Sequence, residues 1–261
     1  MSQLGNQWRS VVKILDDDLD SYSVNENITA VVQYDMHFSL PTFFLTSSEG
    51  NQISADENIF VIAESKETYN LFSFLAETEI RDEKVHYDLR DINKKGDYTI
   101  HVFQIARGGL AGSYFTDLLL SDLEKSRVDS IVNFTWNENL IKSVRWDGLI
   151  QLHHPVENCC TFYISGKNVR LWINRYLIIN EWGHFLDKEI EFSGFYSLKP
   201  GDFVELMVEV RDISVESPIK LMWSGNNLTR DVIPADALFW KVSFKLYNKF
   251  HYSMQPKFET D

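Results

Sequence analysis

Short runs of β-branched and aromatic residues, separated by polar turns, recur along the whole chain. In the first hundred or so residues they are Val11–Leu15, Ile28–Tyr34, Phe43–Thr46, Ile59–Ile62 and Tyr98–Phe103, with turns such as Glu49–Asn51 and Lys94–Asp97 between them. Runs this short, built from residues that fit a pleated surface, predict strands. The stretch Lys66–Glu83 is the best candidate for a helix or irregular segment in this half. The second half continues in the same manner through Gly109–Phe115, Val132–Trp136, Val144–Ile150, Cys160–Ile164, Val169–Asn174, Leu177–Trp182 and Ile219–Trp223. The expected fold is all-β. An immunoglobulin-like sandwich would occupy residues 1–107, a second β-sandwich or barrel residues 108–247, and a C-terminal tail residues 248–261. The junction Arg107-Gly108-Gly109 is so short that the two domains are expected to pack rather than swing.

Charge narrows the partners. The formal net charge is −13, and it is uneven: residues 1–107 hold nine Lys/Arg against 18 Asp/Glu, the remainder 16 against 20. An acidic surface repels phosphate backbones and anionic lipid, so no nucleic-acid partner is expected. No stretch approaches the roughly 20 apolar residues of a spanning helix, so no direct membrane insertion is expected. The first residues show no apolar leader segment. The two cysteines, Cys159 and Cys160, are adjacent. Neighbours in a strand point to opposite faces, so the pair is expected to stay unbridged. Without spaced cysteines the chain reads as intracellular and cytoplasmic. Three glycosylation sequons start at Asn27, Asn133 and Asn227 and carry weight only in a secreted protein.

Little in the chain suggests catalysis. There is no nucleophile elbow, no phosphate-cradling glycine loop and no metalloprotease helix. His153-His154 and Cys159-Cys160 bring donor atoms close in sequence, but in strands only one of each pair faces a given side, and the spacing matches no zinc pattern. The acidic run Asp16–Asp20 lacks the glycine and distal glutamate of a calcium loop and reads as a solvated turn. The expectation is a non-enzyme with no catalytic residue, no cofactor and no metal. Six of the seven tryptophans lie after residue 130. Most, Trp172 and Trp223 among them, are expected to fill the core, and Trp182 and Trp240, nearer loops, to be exposed.

The order Gly109–Phe115, Val144–Ile150, Cys160–Ile164, Val169–Asn174, Gly194–Gly201 and Val232–Pro234 resembles the protective-antigen (PA-fourteen) domain family of toxins, adhesins and some glycosidases. The segment Val85–Val102, with its Gly96-Asp-Tyr corner, is similar to the end of a filamin-type repeat. The first resemblance implies a non-catalytic recognition module. In carbohydrate-binding members of that family, two consecutive aspartates precede the central strand and hold calcium. Here the matching stretch is Ser165-Gly166-Lys167-Asn168, and Lys167 sets a positive charge where a dication would sit. Asn168, Asn174 and Asn180 remain as neutral donors.

Filamin-type and protective-antigen-type domains side by side imply a structural or adaptor protein. It would dock protein partners in a larger assembly of the cytoskeleton, cilium or axoneme. The alternative is a calcium-independent carbohydrate-binding module that takes a glycan. Under either reading the contact residues expected are Lys167, Asn168, Asn174, Trp182 and Trp240.

Overall fold

The alternation that predicts strands from sequence is carried through the structure, which is all-β. The computed structural model describes residues 97–136, 140–152, 159–183, 190–215, 218–242 and 246–253, preceded by strands at 9–11, 31–34, 42–44, 58–65, 71–75, 77–81 and 84–88. The chain divides into two compact units, Met1–Ile105 with Val242–Asp261, and Ala106–Lys241. The acidic run at residues 16–20, the pair His153-His154 and Trp8 lie outside the described residues.

The first unit opens with β1 (Arg9–Val11), β2 (Val31–Tyr34), β3 (Thr42–Phe44) and β4 (Asn58–Ser65). It continues with β5 (Leu71–Leu75), β6 (Glu77–Arg81), β7 (Lys84–Asp88) and β8 (Asp97–Arg107). One antiparallel sheet runs β1-β2-β3-β7-β6, and β4 pairs with β5 and β8. The stretch Lys66–Glu83 contains β5 and β6 rather than a helix. Leu71–Leu75 is an aromatic-rich run and Glu77–Arg81 alternates, and their ladders with β4 and β7 satisfy the backbone. Ile59–Ile62 are all buried, which explains why this run is continuously apolar instead of alternating.

The second unit holds β9 (Leu110–Phe115), β10 (Leu123–Asp129), β11 (Asn133–Thr135), β12 (Ser143–Gln151), β13 (Cys159–Gly166) and β14 (Asn168–Ile173). After them come β15 (Tyr176–Glu181), β16 (Ile190–Leu198), β17 (Phe203–Arg211), β18 (Pro218–Gly225), β19 (Leu228–Val232) and β20 (Leu238–Lys241). They form two antiparallel layers. In the larger, β17 is central, with β12 on one side and β14 then β15 on the other; β9 and β20 share the far edge of β12. The smaller runs β11-β18-β13-β16, with β19 also on β18. Neither layer closes on itself among the described strands, so the unit is a sandwich and not a barrel. The last strand of the chain, β21 (Leu246–Ser253), returns to the first unit and runs antiparallel to β8, with Leu246 opposite Val102.

Period-two alternation builds the core between the layers. Val204, Leu206, Val208 and Val210 of β17 point inward, as do Val169, Leu171 and Ile173 of β14, meeting Phe162, Ile164, Leu221 and Trp223 from the smaller layer. Each such side chain contributes about 1.5–3 kcal/mol on burial. Trp172, expected in the core, is half-buried on the outer face instead. Its neighbours Leu171 and Ile173 occupy the inward positions, and alternation leaves it the other side.

One polar cluster sits at the border of this apolar core, with Asp129, Tyr114 and Trp146 buried and Arg127 reaching solvent. The Asp129 carboxylate accepts hydrogen bonds from Trp146 Nε1 at 2.7 Å, Arg127 Nε at 2.7 Å and the Tyr114 hydroxyl. Burial, and then the bond to Asp129, push the Tyr114 phenol well above its ordinary value, so it stays a neutral donor. Gly112 makes room for the cluster. A Cβ there would stand 2.5 Å from Asp129 Oδ2 and 3.1 Å from the Trp146 ring.

Asp129→Asn is expected to destabilise the full chain by about 1–3 kcal/mol, because the buried carboxylate accepts from three donors and an amide cannot accept from all of them. Gly112→Ala should displace the same carboxylate. In urea unfolding the double variant should therefore lose clearly less than the sum of the two single losses. Full additivity would show that Gly112 and Asp129 act separately.

Candidate functional site

The side of the larger sheet that faces away from the core should be wet, yet it carries a buried acid. Glu209 is an outward position of β17 and is only 2% exposed. Strand register puts Arg145 of β12 and Arg170 of β14 directly beside it. Arg145 donates to Oε1 through Nε at 2.8 Å and Nη2 at 2.6 Å, and Arg170 Nη2 donates to Oε2 at 2.5 Å. The two guanidinium groups cover the carboxylate and shed its water. An unpaired carboxylate at that depth would cost several kcal/mol, so the two arginines are what permits it.

The same arginine organises the aromatics. The Arg170 guanidinium lies 5.1 Å from the Trp172 ring centroid and 4.0 Å from that of Trp182, and Arg211 lies 4.2 Å from Trp182 on its own account. Trp172, Arg170, Trp182 and Arg211 thus form an alternating aromatic and cationic series. Each contact at a partly exposed site contributes about 0.5–1 kcal/mol, less than the pairing to Glu209. The carboxylate therefore fixes Arg170, and Arg170 positions the indoles.

The loops that carry these residues are pinned locally. Chain crossing between layers occurs at Gly166-Lys167, where a Cβ on Gly166 would meet Val169 Cγ1 at 2.7 Å. Lys167 is half-buried at this corner. Asn168 is buried, and its Oδ1 accepts from the Gly183 amide at 2.9 Å, tying the end of β15 next to Trp182. Asn174 and Arg175, with φ of 48° and 66°, make the two-residue hairpin between β14 and β15, a left-handed pair suited to asparagine. Asn174 Nδ2 donates to the Tyr196 hydroxyl at 3.1 Å. Glu205, outward on β17, accepts from Arg175 Nε at 2.9 Å and Lys241 Nζ at 2.6 Å. Burial alone would raise its carboxyl, but Lys241 and Arg175 outweigh burial and hold it below its ordinary value.

Of the five residues expected as contacts, Asn168 and Trp182 come together on this face, and Lys167 lies at the corner before β14. Asn174 lies at the hairpin end, and Trp240 is half-buried on β20. Arg145, Glu209 and Arg211 were not expected. The alternation of Phe203-Val-Glu-Leu-Met-Val-Glu-Val-Arg211 does put Glu205, Glu209 and Arg211 on one face, but their partners lie on strands remote in sequence. Among the described residues no three His, Cys, Asp or Glu side chains converge as a metal site would need.

No protein-family model matches the chain. A curated relative, the anti-sigma-I factor RsgI3 of Acetivibrio thermocellus, is 35% identical over 140 residues, which is 50% of this chain and 21% of that protein. The chain therefore spans about a fifth of the length of the relative it matches. Among solved structures, an anti-sigma factor domain-containing protein aligns over 82% of this chain and 85% of its own at 21% identity and a TM-score of 0.48. Another, from Clostridium clariflavum, aligns over 91% and 93% at 17% identity and a TM-score of 0.45.

The comparisons correct several expectations. The chain is not placed as a filamin-type domain followed by a protective-antigen-type domain, since no family model matches and the curated relative is described as an anti-sigma factor. A cytoskeletal, ciliary or axonemal adaptor is overturned by the same relative, which is described as an anti-sigma factor. The glycan-binding alternative gains no support from it. The intracellular, cytoplasmic assignment gains no support from that relative and is withdrawn with the adaptor reading. Separately, the adjacent cysteines do not stay unbridged: Cys160, fully buried in β13, is disulfide-bonded. A bulge between Cys159 and Thr161 breaks the strict alternation on which that expectation depended.

The depressed Glu205 carboxyl makes a pH prediction. A carboxylate that titrates lower in the folded than in the unfolded chain contributes stability above the ordinary carboxylate range and loses it as pH falls through the depressed value. Glu205→Gln is expected to flatten the acid limb of Tm against pH, with the curves of variant and parent converging at the lowest pH. An unchanged acid limb would show that Lys241 and Arg175 do not stabilise the ionised form.

Proposed function

We propose that this chain is a non-catalytic recognition portion of a regulatory protein of the anti-sigma-factor kind, acting by binding a protein partner. The observation that carries the reading is the 35% identity over 140 residues to the anti-sigma-I factor of Acetivibrio thermocellus. That protein's name sets it against a sigma factor, and a sigma factor of that class is the regulatory target inferred for the protein containing this chain. The geometry supports recognition by a rigid surface. A two-layer antiparallel sandwich holds Arg145, Arg170, Trp172, Trp182 and Arg211 in fixed relation through one buried carboxylate. Side chains ordered in advance lose less entropy when a partner arrives.

Deletion of the gene in its own organism, followed by transcript sequencing, tests the reading. Transcripts that depend on a sigma-I-type factor should rise several-fold and return to the parental level on complementation. An unchanged transcript profile under growth conditions in which the protein is made would overturn it.

A further inference from the structure

The chain has two cysteines in all, and they are neighbours, Cys159 and Cys160. Cys160 is disulfide-bonded, and no cysteine among the described residues is free, which leaves Cys159 as its partner. A regular strand forbids that bond, because consecutive side chains leave on opposite faces. From Cys160 onward β13 is regular: Cys160, Phe162 and Ile164 alternate into the core. The irregularity falls at Cys159. Thr161 stands opposite Phe195, yet Cys159 stands opposite Leu198, so two steps along β13 are matched by three along β16.

That slip decides the face. Residues directly opposite one another in an antiparallel ladder share a side of the sheet. Unbroken pairing from Thr161 and Phe195 would set Cys159 opposite Ser197, an exposed position. The observed pairing sets it opposite Leu198, which is fully buried in the core. Two consecutive residues of β13 thus hold core-side register positions, the arrangement that a bond between neighbours requires. Such a bond is a poor staple for the whole chain. A disulfide restrains the unfolded state with the logarithm of the loop it closes, and this loop is the shortest possible. Its effect is local: it fixes which residue of β16 lies opposite Cys159.

We propose that Cys159 and Cys160 form a vicinal disulfide that acts as a redox-sensitive latch on the register of β13 against β16. Oxidised, the bond holds the slipped pairing. A dithiol reductant opens it. The S–S bond breaks, the pair takes up two electrons and two protons to become two thiols, and the dithiol is oxidised to its own disulfide. Without the bond, Cys159 follows the alternation of the strand and the ladder returns to regular pairing, Cys159 opposite Ser197. Leu198 loses Cys159 as its ladder partner, and the turn behind it, closed by hydrogen bonds between Lys199 and Asp202, loosens. Cys160 keeps its core place beside Phe162. The latch is independent of the regulatory reading above and of the partner it names.

The test compares three samples of the full chain: oxidised with oxidised glutathione, purified in dithiothreitol, and Cys159→Ala, which leaves Cys160 in the core. Mass spectrometry after unfolding in iodoacetamide should find no alkylated cysteine in the oxidised chain and both alkylated in the reduced one. In the folded reduced chain Cys159 should alkylate about tenfold faster than Cys160, or more, since Cys160 stays sealed. On reduction, hydrogen exchange over Tyr196–Asp202 should speed up about tenfold or more, while β12, β14 and β17 exchange as before. Cys159→Ala should match the reduced chain and ignore dithiothreitol. Melting temperatures of the three samples should agree within about 4 °C, as the short loop requires. Free thiols or glutathione adducts in the oxidised chain, or a disulfide-linked dimer on a non-reducing gel, would overturn the bridge. Equal alkylation rates, hydrogen exchange that ignores reduction, or a larger fall in melting temperature, the mark of a global staple, would each overturn the latch.

Discussion

A carboxylate withdrawn from water on the solvent side of a sheet governs the architecture of the candidate site. Glu209 is almost fully covered, and the covering groups are Arg145 and Arg170 from the two flanking strands. The energetics are lopsided. Losing either arginine would leave a buried charge short of partners, at a cost on the scale of about 3–5 kcal/mol. Losing one indole contact would cost roughly 1 kcal/mol. The ion triad is therefore the rigid part and the tryptophans are dependent on it. Strand register does the positioning: Arg145 and Arg170 are the direct cross-strand neighbours of Glu209, so three strands must align correctly before any of the three charges is satisfied. A one-residue slip would turn every side chain to the other face and bury unpaired charge. The triad thus also specifies the register of β12, β17 and β14.

The Asp129 cluster plays the corresponding part on the inner side. Its donors come from β9, β10 and β12, and Gly112 leaves the space in which they meet. The two networks sit on opposite faces of one sheet and have β12 in common, with Trp146 facing in and Arg145 facing out from adjacent positions. Consecutive residues of one strand therefore anchor the core and the outer surface together. Packing on one side and charge pairing on the other hold the same backbone, so the outer face inherits the rigidity of the core.

The strands were legible because burial is periodic. Val144–Ile150, Val169–Ile173 and Ile219–Trp223 declare themselves by composition alone, and each is a strand of the second unit. Lys66–Glu83 was misread because its apolar residues cluster at Leu71–Leu75 among polar neighbours, too short a run to fix a period, and only the ladders with β4 and β7 resolve it. Trp172 was misplaced for a related reason: hydrophobicity pulls the reading toward the core, while alternation from Leu171 and Ile173 forces the indole outward. Trp182 was marked from its place near a loop, and Lys167 and Asn168 from the resemblance to the family's calcium-holding stretch, but the arginines that give Trp182 its setting were not. Arg145, Arg170 and Glu209 are separated by tens of residues, and nothing local in any of their segments says that they are neighbours. Register between distant strands is a tertiary fact.

The same distinction governs what can be inferred about recognition. Paired arginines contribute to stability and are largely spent there. Each has a carboxylate beside it, Glu209, Glu205, Asp129, Asp236 or Glu191, and a ligand would have to compete with that existing ion pair.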